Sequence, residues 1–127
     1  MPIGQEVLRV FQQISSGPQG WQAFRALWAD DIVWHFPGRS RIAGTFRGKE
    51  QVDQHFAIAR ALGLRGAELI DICAGEEYVV NLLRVHSERD GRRFEDRRAW
   101  TARIEGGQIV EVWVHPFDQY GLDEFYT

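Results

Sequence analysis

The stretch Ala29-Asp30-Asp31-Ile32-Val33-Trp34-His35-Phe36-Pro37-Gly38 decides how this chain is read. It reads as the end of a helix running into a strand of large aromatics, closed by Pro37-Gly38. Its counterpart is Val110-Glu111-Val112-Trp113-Val114-His115-Pro116-Phe117-Asp118, a strand whose last residues include Trp113, His115 and Asp118. Both stretches set ionisable groups beside bulky apolar ones at the end of an element. Polar groups in such surroundings need partners, and their pKa values are easily displaced. The combination predicts a pocket.

Working outward, Val7, Leu8, Val10, Phe11 and Ile14 have helical spacing over 6–14, and Ser15-Ser16-Gly17-Pro18 breaks that helix. Trp21, Phe24, Leu27 and Trp28 predict a second amphipathic helix ending near Asp30. A short strand over 32–36 and a glycine-punctuated loop over 38–48 follow. A third helix over 49–62 turns Val52, Phe56, Ile58 or Ala59, and Leu62 inward, with His55 on its surface. After Gly63 the pattern changes to strands over 68–73, 78–88, 92–105 and 108–115, joined by Ala74-Gly75-Glu76, Asp90-Gly91 and Gly106-Gly107. The tail, 119–125, reads as a short closing helix or turn. Three helices followed by antiparallel strands predict one α+β domain over 1–127, a cone of helices on a strongly curved sheet enclosing a pocket.

Composition narrows the function. Five Trp and eight Phe in 127 residues exceed the needs of a plain core and point to a lined cavity or an interface. The net charge of -3 argues against nucleic-acid binding. Arg84, Arg89, Arg92, Arg93, Arg97 and Arg98 alternate with Glu88, Asp90, Glu95 and Asp96, which predicts cross-strand ion pairs instead. The one cysteine, Cys73, fits a reducing compartment and reads as a small buried hydrophobe. No run approaches a membrane span and no signal pattern opens the chain, so the expected location is cytoplasmic. The four His are scattered, without the spacing of a metal site.

Strand alternation about Asp90-Gly91 turns Asn81, Leu83 and Val85 inward, facing Asp96, Arg98, Trp100 and Ala102. The last strand presents either Val112 and Val114 or Trp113 and His115. His115 is the candidate acid–base group, because a histidine titrates near neutrality. Asp118 would orient it or act as base, or serve as a turn residue. Arg98 would polarise a ligand oxygen or pair with Asp96 or Asp118. Trp34, His35, Phe36, Asn81, Leu83, Trp100 and Trp113 are the candidate substrate-binding residues, and their aromatics imply a largely hydrophobic, flat or cyclic ligand.

The element order and three motifs resemble the SnoaL-like branch of the nuclear transport factor 2-like superfamily. The motifs are Ala29-Asp30-Asp31, Pro37-Gly38 with Ala43-Gly44-Thr45-Phe46-Arg47-Gly48, and Gly107-Gln108-Ile109-Val110-Glu111-Val112-Trp113 with Asp118 beyond. The resemblance implies a homodimer through the outer face of the sheet. It also allows a residue-by-residue check. Where ketosteroid isomerases carry their base and oxyanion-hole residues, this chain has Phe36 (beside His35), Trp100 and Gln12. Against limonene-epoxide hydrolases, Arg98 matches, Trp100 replaces a carboxylate, and His115 stands where the last strand carries the second one. His115 with Asp118 could serve as in SnoaL-type cyclases.

The expectation is therefore a pocket for a small hydrophobic molecule in a cofactor-independent acid–base enzyme of isomerase, cyclase, dehydratase or hydrolase type. The alternatives are a non-catalytic small-molecule carrier and a partner-binding domain. Neither metal nor cofactor is expected.

Overall fold

The structure, a computed structural model, describes residues 3–127. Helices α1 (Gln5–Gln12) and α2 (Gly17–Ala26) lead into strand β1 (Trp28–Phe36), the short strand β2 (Gly44–Arg47) and helix α3 (Gly48–Ala61). Strands β3 (Leu64–Ala74), β4 (Tyr78–Arg89), β5 (Arg92–Glu105) and β6 (Gln108–Pro116) follow, and α4 (Gln119–Phe125) closes the chain. Among the described residues there are four helices, the expected three and α4 where the tail reads as a short closing helix or turn. The glycine-rich stretch after Gly38 is not all loop, because Gly44–Arg47 pairs with Val33–Phe36.

Helix α2 stops at Ala26 rather than near Asp30. The Leu27 carbonyl accepts from Ile109 N–H at 2.7 Å, and Trp28 lies beside Ile109 in the sheet. Once the chain is tied there, Asp30 and Asp31 are strand residues with exposed side chains. Pro18 sits in the first turn of α2, where its missing N–H costs nothing.

The sheet order is β2-β1-β6-β5-β4-β3, antiparallel throughout except for the β1–β6 pair. The run β3 to β6 is a meander. Its β4–β5 and β5–β6 turns place consecutive residues at positive φ, Asp90 and Gly91 in one and Gly106 and Gly107 in the other. That backbone matches the twist of paired strands. Helix α3 packs on β1, β2 and β3, so one helix touches both edge strands. The sheet must curl around it without closing, and this curl makes the concave side a cone.

Alternation sorts the strands cleanly. Val79, Asn81, Leu83, Val85 and Ser87 of β4 are buried, as are Asp96, Arg98, Trp100 and Ala102 of β5. On β6 the inward pair is Val112 and Val114, while Trp113 and His115 point outward. Val110 is the extra residue of a bulge: Arg103 pairs with Glu111, whereas Ile104 pairs with Ile109. Edge strand β3 is mostly exposed, and Cys73 is exposed with it, contrary to its expected burial. A register shift between Leu69 and Asp71 turns Ile72 toward Asn81, which leaves Cys73 on the outer face.

Candidate functional site

The concave side of the sheet, the α1–α2 connection at Ile14 and Ser15, and helices α2 and α3 enclose a cavity of about 590 Å³. That volume suits a small organic molecule. Trp34 and Phe36 of β1, Leu83 of β4, Trp100 of β5 and Val114 of β6 form its floor. Trp21 of α2 and Phe56 of α3 form part of the wall. These rings pack edge-on: Trp34–Trp100 centroids lie 5.1 Å apart, Trp34–Phe56 5.2 Å and Trp21–Phe56 4.8 Å. Such interlocking fixes the shape of the walls.

Two polar groups interrupt the apolar floor. Arg98 is 4% exposed and grips Asp96 through Nε to Oδ2 at 2.9 Å and Nη2 to Oδ1 at 3.2 Å. Alternation along β5 puts both on the inner face, two residues apart. Burial holds the Asp96 carboxyl above the usual aspartate range despite the guanidinium, and Asp118 nearby pushes the same way. The pair cancels in charge, while the Arg98 guanidinium still lines the cavity over the Phe36 ring.

The second group is His55, 2% exposed and packed among Phe36, Phe46 and Phe56 with ring centroids 5.0, 4.5 and 4.9 Å away. It is a core residue, not the surface one its helix suggested. Burial in this aromatic nest lowers its pKa to about 4, a hydrogen bond to the Ile42 backbone works against the fall, and the Arg98 charge adds to it. His55 is therefore neutral at pH 7. Nδ1 has no hydrogen-bond partner among the described residues. The indole N–H groups of Trp34 and Trp100 are likewise buried without a protein acceptor. All three nitrogens are buried behind the cavity surface, so a ligand would reach them only after these side chains shift.

Of the candidate residues, Arg98, Trp34, Phe36, Leu83 and Trp100 come together on the cavity wall. Asn81 is fully buried beside Trp100, with neither amide atom partnered, but it does not line the cavity. His35, Trp113, His115 and Asp118 lie elsewhere. His35 and Trp113 stack on the outer face, 5.5 Å apart and 9° from parallel, and His35 bonds Glu111. His115 is exposed and bonds Thr101 at 3.1 Å. Asp118 caps α4, accepting from Gly121 N–H at 2.9 Å. His55 was missed, although its position three residues after Val52 and four before Ala59 put it on the buried stripe of α3. Arg60 and Arg65, at the end of α3 and the start of β3, carried no local signal yet line the cavity.

This architecture has known counterparts. The model of the SnoaL-like domain matches residues 7–112. The chain belongs to the SnoaL-like family. Its fold is shared with Bal32a from a soil-derived mobile gene cassette, at 26% identity and TM-score 0.83 over 96% of this chain and 95% of that one. A protein of unknown function with a cystatin-like fold from Xanthomonas campestris matches at 23% identity and TM-score 0.81, covering 95% of each chain. An NTF2-like protein from Burkholderia xenovorans LB400 matches at 18% identity and TM-score 0.75, covering 97% of each. No curated protein matches the chain. Membership in the SnoaL-like family accords with an α+β cone, and no helix among the described residues is long and apolar enough to cross a membrane.

Proposed function

We propose that this SnoaL-like protein is a cofactor-independent enzyme that moves a proton on a small, largely apolar carbonyl compound held in the cavity. The observation that carries the proposal is the unpartnered Nδ1 of neutral His55 at an apolar cavity that Arg98 also lines. In this reading the His55 imidazole, reached when a ligand displaces the side chains around it, removes a proton from the carbon next to the carbonyl. The charge that develops on the oxygen is met by Arg98 and an indole N–H, and His55 then returns the proton to a second position. A base with a pKa of about 4 suffices where the resulting oxyanion is well stabilised, since general bases with values near ~4.6 sustain such chemistry. His55 takes the role expected of His115. Asp118 and His115 become structural, and Asn81 supports the wall behind Trp100. The protein acts as one cytoplasmic domain and as a homodimer through the outer face that carries His35 and Trp113.

The test is proton exchange into water from a panel of cyclic and aryl ketones, followed by NMR. His55→Gln should lower the exchange rate by about 100-fold, the usual reach of a positioned base. His115→Ala should leave it unchanged. The acid limb of the wild-type profile should fall near pH 4, where His55 becomes protonated, and not near neutrality.

One observation favours a second reading as a carrier: among the described residues no Asp or Glu lines the cavity, and Asp96 is taken by Arg98. Tight ketone binding without exchange, indifferent to His55→Gln, would select that reading.

A further inference from the structure

Among the described residues, the cavity lining carries three arginines, Arg60, Arg65 and Arg98, and no carboxylate. Asp96 neutralises Arg98. Among the described residues, neither Arg60 nor Arg65 has an ion-pair partner. The carboxylate whose pKa Arg60 lowers is Asp53, and both its oxygens are already taken by Arg25, at 2.9 and 2.6 Å. Arg60 instead lies over the aromatic wall, its Cζ 5.6 Å from the Trp21 ring and 5.8 Å from the Phe56 ring. Arg65 is tethered through Nη1 alone, which donates at 3.3 Å to the carbonyls of Arg60 and Leu64. Its Nε and Nη2 are not engaged by those bonds. Both side chains belong to exposed residues, so they stand where the cavity opens to water.

Two cations without a direct ion pair at the opening of an apolar cavity, with Asp53, Glu88 and Glu95 in their wider surroundings, make a local field for an anion. A guanidinium resting on an aromatic face keeps its fork free for a planar acceptor, which a carboxylate matches. We infer that the natural ligand is an apolar carboxylate, with its hydrocarbon body against Trp21, Phe56 and Trp100 and its carboxylate held between Arg60 and Arg65. The inference rests on the small-molecule pocket proposed above and specifies the class of molecule it takes. In the enzymatic reading the ligand is a keto acid, the carbonyl at the inner end and the carboxylate at the outer.

Tryptophan fluorescence reads occupancy, because Trp21, Trp34 and Trp100 line the cavity. The probes are matched pairs with the same body: octanoate and octanol, dodecanoate and dodecanol, naphthoate and naphthalenemethanol. The wild-type protein should bind the carboxylates roughly tenfold more tightly than the alcohols. The preference should shrink as salt is added. In Arg60→Gln/Arg65→Gln it should vanish while alcohol binding stays the same, with circular dichroism confirming the fold. Equal binding of both members of each pair by the wild type would overturn the inference and leave the pocket reading intact. A carboxylate preference that survives in the double variant would overturn it too, by placing the anion elsewhere. Failure of every probe to bind would remove the pocket reading and the inference together.

Discussion

His55 and His35 make the informative comparison in this molecule, because they do opposite things with similar surroundings. His55 sits among Phe36, Phe46 and Phe56, and His35, the residue before Phe36, stacks on Trp113. Both are histidines against flat aromatic surfaces within one short segment of the fold. Yet His35 lies on the half-exposed outer face and has Glu111 as partner, whereas His55 is sealed on the inner face with Nδ1 unpartnered. Aromatic company therefore does not set the chemistry of an imidazole. Access to water and to a carboxylate does, and the sheet grants it to one face only.

The sharpest way to break this comparison is to disturb the inner face where charge is buried. Arg98→Leu leaves Asp96 buried and unpaired, and should cost about 3–5 kcal/mol in urea unfolding. Arg98→Leu with Asp96→Leu should recover most of that loss, since no lone charge remains. A cost below about 1 kcal/mol for the single variant would mean water reaches the pair.

Acid is the next lever. The folded pKa of His55, about 4, lies below its ordinary value of 6.5, so between these values the unfolded chain binds the extra proton. Stability from this residue is complete above pH 6.5, is lost as pH falls, and levels off near 4. The loss amounts to about 3 kcal/mol. His55→Phe should flatten that slope in denaturant titrations at several pH values, and an unchanged slope would show that other groups cause it. The smallest effects belong to the outer face. His35→Ala and His115→Ala should each shift stability by no more than about 1 kcal/mol, because their partners are partly solvated.

Much of the fold was legible because its signals are local. Asp90-Gly91 and Gly106-Gly107 set the hairpins, and alternation from those turns identified Arg98, Trp100 and Leu83 as inward. What stayed hidden depends on partners distant in the chain. The end of α2 is set by Ile109, which joins the chain at Leu27 and converts Ala29-Asp30-Asp31 from helix end to strand. The inward choice of Val112 and Val114 is fixed by β6 lying parallel to β1, with Val112 opposite Trp34, a pairing that no hairpin announces. His55 was hidden for a different reason. Its position on α3 is consistent with burial, but polarity argued for the surface, and only the loop through Ile42 that covers it decides the matter. Arg60 and Arg65 meet at the cavity because the chain reverses at Gly63, whose φ of +127° suits a residue without a side chain.

The open sheet has a consequence for solubility. A curl that stops short of closure keeps the cavity reachable but leaves two edge strands, β3 only partly covered by α1 and by the Ser15 bond to Leu69 N–H, and open edges recruit strands from other molecules. Here β2 is only four residues long, too short to template much. Edge β3 is long, but two register shifts break its line, and Arg65, Glu68 and Asp71 stand exposed along it around Ile70. A neighbouring chain adding itself there would have to follow a kinked line and bury charge. Those features of β3 disfavour strand addition at the edge that an open cone leaves exposed.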